Sequence, residues 1–86
     1  MTHAALPTLD SLKTGQSATV VHLARGAQEG GIDVQRRLME LGFVPGERIR
    51  LLKRAALGGD PLAVKVGHST FALRRFEASL VSVKPE

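Results

Sequence analysis

Apolar and polar residues alternate in short runs along most of the chain, which is the period of a half-buried β-strand. In the first run Thr19, Val21 and Leu23 share one side, and in the second Ile49 and Leu51 face inward. We therefore expect five strands, at 17–25, 47–55, 62–66, 71–73 and 80–84.

One segment has the period of a helix instead. Val34, Leu38 and Leu41 follow one another at i, i+4 and i+7, which places them on one apolar stripe. Asp33 precedes the stripe as a candidate N-cap, and Gly42 follows it where a helix commonly ends. The pattern predicts a helix of about ten residues between the first two strands.

Glycine and proline divide the remaining chain into turns and loops. Thr8–Leu12 is expected to form a short helical turn or a docked arm, either of which places Leu9 and Leu12 against the body of the domain. A single 3₁₀ turn is expected at 76–79, because that segment is too short for a longer helix. Loops or turns are expected at 26–31, 45–46, 57–61 and 67–69.

These elements predict a mainly β protein, a small five-stranded barrel with one inserted helix. Closing the sheet on itself removes exposed edges, which favours a barrel in so short a chain. The 86 residues are expected to form one domain over 1–86, with 1–7 as a disordered tail.

Composition narrows the chemistry. The chain has no cysteine, so thiol catalysis and zinc–thiolate sites are excluded. Its net charge of +4 favours anionic partners. The three Phe, without Trp or Tyr, offer few platforms for stacking bases. No apolar run is long enough to span a bilayer and the start lacks a signal peptide, so we expect a cytoplasmic protein.

No catalytic, metal or nucleotide site is expected. The three histidines, His3, His22 and His68, lack the spacing of a ligand pair. The carboxylates are scattered over caps and turns, which gives no poised acid and base. The glycine-rich segment 26–31 lacks the lysine and hydroxyl residues of a phosphate-binding loop. We therefore expect a binding protein without a cofactor.

Three motifs in one order carry a family resemblance. They are Leu38-Met39-Glu40-Leu41-Gly42-Phe43-Val44-Pro45-Gly46, Ala55-Ala56-Leu57-Gly58-Gly59-Asp60-Pro61 and Phe71-Ala72-Leu73-Arg74-Arg75. The chain resembles the ferrous-iron transport protein A (FeoA) family over roughly 9–83. That family's patterns are Leu-x-x-Leu-Gly-apolar-x-Pro-Gly, Ala-Pro-Leu-Gly-Asp-Pro and apolar-x-Leu-Arg. Ala56 replaces a frequent Pro, and the loop has one extra glycine. The motif residues predicted to shape the fold are Leu38, Leu41, Gly42, Pro45, Gly46, Gly59, Asp60 and Pro61.

The resemblance implies an SH3-like barrel that works as an accessory or regulatory protein of ferrous-iron uptake. Its implied partner is a membrane ferrous-iron transporter with a cytosolic GTP-binding domain. The implied location is cytoplasmic, with peripheral attachment at the inner face of the membrane left open. The alternative is a basic SH3-like nucleic-acid-binding module. A third possibility, a metal-sensing domain, would need converging metal ligands, and the sequence shows none. Neither the preferred state of the partner nor the oligomeric state follows from the sequence.

Two surfaces are candidates for docking. An apolar cleft is predicted from Met39, Phe43, Val44 and Leu57, although the core is the favoured place for Phe43. A basic surface is predicted for electrostatic docking, and an ordinary solvated barrel exterior is its alternative. Its residues are Arg48, Arg50, Arg54 and Arg74, to which Lys65 and Arg75 are possible additions.

Overall fold

The described residues form a five-stranded antiparallel sheet, a two-stranded sheet, a 3₁₀ turn and two short helices. The computed structural model describes residues 5–25, 28–29, 32–56 and 58–86. In chain order the elements are a 3₁₀ turn at Leu9–Ser11, β1 at Ser17–Leu23, β2 at Gln28–Glu29, β3 at Ile32–Asp33, α1 at Val34–Leu41, β4 at Arg48–Arg54, β5 at Leu62–Val66, β6 at Ser69–Leu73, α2 at Arg75–Ala78 and β7 at Val81–Pro85.

The strand order of the sheet is β6-β5-β4-β1-β7, and every neighbouring pair is antiparallel. β6 and β7 lie at opposite ends of this order, so the sheet is not closed and the predicted closed barrel is wrong. Closure needs strand pairing between the two ends, and alternation within a strand does not report which strands pair.

A second, two-stranded sheet precedes the helix. β2 and β3 pair antiparallel, with Gln28 opposite Asp33 and Glu29 opposite Ile32. This part of the chain was predicted as a glycine-rich loop. The pairing was not predicted, because strands of two residues are too short to show an alternation of apolar and polar positions. Residues 26, 27, 30 and 31 of that loop lie outside the described residues. α1 therefore follows β3 and precedes β4 in the chain.

Both ends of α1 have the predicted caps. The Asp33 side chain accepts a hydrogen bond from the Arg36 amide at 3.1 Å. Gly42 has a φ of +109°, a left-handed conformation that glycine adopts without steric cost. The Phe43 amide donates to the Leu38 carbonyl oxygen at 3.0 Å, the six-to-one bond of a Schellman motif. Local sequence therefore sets both ends of this helix.

The core lies between the sheet and the short elements. Leu9 and Leu12 are buried in it, as predicted for the segment before β1. On β1 the predicted facing is wrong, because Ala18 and Val20 are buried while Val21 is exposed. The β1–β7 register shifts between Val20 and His22. An extra residue of this kind reverses the alternation that follows it.

α2 was expected as a 3₁₀ turn and is instead one turn of α-helix. The amides of Ala78 and Ser79 donate to the carbonyl oxygens of Arg74 and Arg75, four residues back. Glu77 stabilises the start of the helix, because its Oε1 accepts the Arg74 amide at 2.9 Å. The sequence pattern did not predict this helix, because the capping bond from Glu77 does not appear in the spacing of apolar residues.

Candidate functional site

The predicted apolar surface is only partly exposed. Met39 is 46% exposed on α1, and Val44 is half-buried after the helix. Phe43 is fully buried and its ring lies 6.3 Å from that of Phe71, tilted by 57°. Phe43 therefore belongs to the core and offers no side-chain surface to a partner. Leu57 lies outside the described residues.

Val21 is an exposed apolar residue that was predicted to share one side of the first strand with Thr19 and Leu23. Two hydrogen bonds join β1 to α1 and to the turn after it: Gln35 Nε2 donates to the Leu23 carbonyl at 3.0 Å, and the Gly46 amide donates to the Val20 carbonyl at 2.8 Å. Val21 lies on β1 between these two points and is 40% exposed. The name α1–β1 surface is used below for Val21, Met39 and Val44.

All four predicted docking arginines have partners within the chain. Arg48 forms a two-pronged ion pair with Glu86, with Nε–Oε2 and Nη2–Oε1 distances of 2.7 and 3.1 Å. The Glu86 carboxylate raises the pKa of the Arg48 guanidinium, first through this hydrogen bond and second through its charge. Arg50 Nε donates to the Gly15 carbonyl at 3.0 Å.

Arg54 has a structural position. Its Nη2 donates to the carbonyl oxygen of Leu12 at 2.7 Å and also to that of Asp10. These two carbonyls belong to the 3₁₀ turn and the residue after it, so Arg54 ties the start of the chain to the end of β4.

The sequence alternation of β4 does not distinguish Arg54 from Arg50. The register of β4 against β5 does distinguish them, because it shifts within the part of β4 that lies between the two arginines. Arg54 therefore pairs with the buried Leu62, and Arg50 pairs with the exposed Lys65.

Arg50 and Lys65 lie on the outer face, which is the exposed side of β4, β5 and β6. They occupy directly opposed positions on β4 and β5. Like charges facing each other across two strands are unfavourable, so this pair favours anionic groups from outside. A concavity of about 350 Å³ opens here. Its lining consists of Ser17, Glu47, Arg48, Ile49, Arg50, Lys65 and Gly67.

A buried carboxylate lies at the other end of β6. The Glu77 side chain is 5% exposed and, besides the Arg74 amide, accepts Arg37 Nη1 at 3.0 Å. Nearby, Asp60 Oδ1 accepts the Arg75 amide at 3.0 Å, which connects the loop before β5 to α2. A concavity of about 460 Å³ lies beside these groups. Its lining consists of Arg37, Asp60, Pro61, Ala72, Arg74 and Glu77.

Metal-ligating side chains do not converge in the described part of the chain. No group of three His, Cys, Asp or Glu residues lies close enough there to hold an ion. Every buried side-chain nitrogen or oxygen within the described ranges has a hydrogen-bond partner. No described helix has the length and apolar character needed to cross a bilayer.

The family comparison covers almost the whole chain. The FeoA domain model matches residues 8–85. The chain belongs to the FeoA family. The predicted family is thereby confirmed, together with its association with ferrous-iron transport. A comparison with curated proteins gave no match.

Solved FeoA structures have the same fold. The Stenotrophomonas maltophilia FeoA, crystallised with zinc, is 41% identical with a TM-score of 0.78, and the match covers 91% of this chain and 89% of that one. It is described as a procaryotic SH3 domain protein and a candidate activating factor for ferrous iron transport. The Chlorobium tepidum FeoA is 37% identical with a TM-score of 0.77, covering 92% and 70% of the two chains.

More distant structures share the fold alone. A manganese-dependent transcriptional repressor is 20% identical with a TM-score of 0.71, and the match covers all of this chain but 45% of that one. The SH3-like, mainly β character predicted for the chain is therefore shown by its FeoA relatives and extends to these regulators.

Proposed function

We propose that this FeoA protein is an accessory subunit of ferrous-iron uptake, which docks on the cytosolic part of a membrane iron transporter that contains a GTP-binding domain. The observation that carries the proposal is the FeoA match over residues 8–85. The description of the S. maltophilia relative as a candidate transport activating factor supports it.

The role is one of binding and regulation rather than catalysis. A regulator of this kind acts only if it binds two states of its partner with different affinity, so that it biases the conformations or the GTPase cycle of the transporter. The α1–β1 surface supports such binding, since Met39 is a flexible apolar side chain exposed on a capped and well-anchored helix. We place the action at the cytoplasmic face of the membrane, with no cofactor held by the protein itself.

Affinity purification tests the proposal. The tagged protein is incubated with a membrane extract in gentle detergent, after nuclease treatment and at physiological ionic strength, where the Debye length is about 8 Å. We expect mass spectrometry to identify a multi-pass membrane protein with a GTP-binding domain. If the nuclease-treated extract yields no transporter and an untreated extract yields nucleic acid, the nucleic-acid-binding alternative is favoured.

Substitution of the apolar docking residues tests the surface. The double variant Met39→Asp with Leu57→Asp is expected to lose the transporter, because a carboxylate would have to be buried in the contact without a partner. Lys84→Asp, an acidic substitution at an exposed position on β7, is the control and should bind as the parent does. Equal recovery with the double variant and the parent would exclude this docking surface.

A further inference from the structure

The two edges of the five-stranded sheet are protected to different degrees. At one edge, Thr8 forms an isolated bridge with Ser82 of β7, and the Val83 amide donates to the Pro7 carbonyl at 2.9 Å. The segment before β1 therefore satisfies part of the β7 edge. At the other edge, β6 pairs with β5, and no described residue pairs with its other side.

The sequence of β6 contains none of the usual edge protection. Exposed edge strands normally carry charged residues or proline, which prevent pairing with other chains. β6 reads Ser-Thr-Phe-Ala-Leu over Ser69–Leu73, with neither a charged residue nor a proline. It is also five residues long and paired in continuous register with β5. Such an edge can accept a further strand.

The hairpin turn determines which backbone groups of β6 point outward. Val66 and Ser69 flank a two-residue turn in which Gly67 has a φ of +59° and His68 has no positive φ. This is the pattern of a type II′ turn, which hydrogen-bonds its flanking residues. Because hydrogen-bonded and non-bonded pairs alternate along an antiparallel ladder, the amide and carbonyl groups of Thr70 and Ala72 point away from β5.

We propose that β6 binds an extended segment of the partner, which adds to the sheet as a sixth strand through the outward backbone groups of Thr70 and Ala72. The proposal rests on the transporter-docking function above and identifies a second contact for it. Strand addition of this type gives affinity through main-chain hydrogen bonds and specificity through alternate side chains.

The flanking side chains indicate the chemistry of the added strand. On the outer face, Lys65 lies opposite Thr70, and Arg74 follows Ala72 by two residues. Arg74 and Arg37 also line the concavity beside Ala72. Asp60 and Glu77 line it as well, and Arg37 is paired with Glu77. On the other side of β6, Phe71 is half-buried. A segment that alternates acidic, apolar and acidic residues would place carboxylates beside the cations and an apolar group beside Phe71.

A second copy of this chain does not fit that chemistry. β6 itself has no carboxylate to place beside Lys65, and each copy carries a net charge of +4. The two copies would bring cationic outer faces together in one continuous sheet. The transporter segment is therefore the occupant that we infer.

Amide hydrogen exchange tests the geometry. In the free protein the amides of Thr70 and Ala72 should exchange much faster than those of Phe71 and Leu73, which point toward β5. Amide exchange is then repeated with the protein bound to the detergent-purified full-length ferrous-iron transporter of the same organism. After the protein is released from the complex, NMR measures which amide protons were retained. We expect new protection at residues 70 and 72. Protection at these residues without transporter, together with dimerisation in sedimentation, would overturn the inferred partner.

Paired substitutions at one residue provide the matched test. Ala72→Pro removes the outward amide without removing a hydrogen bond to β5, and edge strands tolerate proline at such positions. We expect Ala72→Pro to bind the purified transporter about five- to twelvefold more weakly, since the loss of one hydrogen bond of about 1–1.5 kcal/mol corresponds to that range. Ala72→Val keeps the amide and should bind more tightly than Ala72→Pro, which separates the loss of the amide from a change of side chain.

The outcomes separate the two proposals. If the parent binds and residues 70 and 72 gain no protection, the β6 inference is wrong while the transporter function stands. Equal binding by the parent and a folded Ala72→Pro has the same meaning. If the parent itself does not bind the transporter, both proposals fail. The exchange measurement on the parent decides the matter even if Ala72→Pro does not fold.

Discussion

Two regions of the protein use similar polar side chains for different purposes. Beside the 3₁₀ turn and α2, Arg54 bonds to backbone carbonyls of a distant segment, and Glu77 bonds to the amide at the start of its own helix and to Arg37. On the outer face, Arg50 and Lys65 face each other across two strands and are exposed. Arg50 also bonds one backbone carbonyl, but it does so at the exposed surface, whereas Arg54 bonds two carbonyls from a half-buried position. The comparison shows that burial against backbone partners, rather than the type of side chain, makes a charged residue structural.

The largest effect on stability is expected beside α2, from Glu77→Ala. This change leaves the Arg74 amide without its acceptor and Arg37 without its carboxylate. Hydrogen bonds to charged groups contribute about 1.5–3 kcal/mol, so we expect a loss of about 2–3 kcal/mol in the free energy of unfolding. Urea denaturation measures it.

Arg37→Ala is the control for the Glu77 prediction. Its side chain is 51% exposed, so its removal should cost no more than about 1 kcal/mol. A cost for Arg37→Ala as large as that for Glu77→Ala would show that the ion pair, and not the bond to the α2 amide, carries the effect.

An intermediate effect is expected from Arg54→Ala, with Arg50→Ala as its control on the same strand. Arg54 bonds two carbonyls of the segment before β1, and we expect its loss to cost about 1–3 kcal/mol. Arg50 makes one bond near the surface, and its loss should cost about 0.5 kcal/mol. Thermal unfolding of both variants gives the comparison, and equal costs would contradict the distinction between the two regions.

The smallest effect is expected from Lys65→Thr on the outer face. Removal of one of two opposed cations relieves repulsion with Arg50, and threonine suits a strand position. The free energy of unfolding should stay within about 0.5 kcal/mol of that of the parent or rise. A clear loss of stability would show that Lys65 has a structural contact and that the outer face is not free for an anionic partner.

The correct predictions depend on contacts between residues close together in the chain. The incorrect ones depend on contacts between residues far apart in the chain. α1 and its caps were predicted because Asp33 and Gly42 act on neighbouring residues. The facing of β1 was wrong because its bulge is a property of the β1–β7 pairing. The role of Arg54 was missed because its acceptors are 42 and 44 residues away. The docking role of Met39 and Leu57 remains a prediction.

By itself the sequence determined the strands from β4 to β6, the capped helix and, through three ordered motifs, the family. Those features depend on periodicity and on turn residues, whose energies are local. Only the tertiary structure decided that the sheet stays open, that the segment before β1 covers part of the β7 edge, and that no residue in the described ranges pairs with the outer side of β6. Strand pairing joins residues far apart in the chain, so the pattern of residues within one strand does not identify the strand that pairs with it.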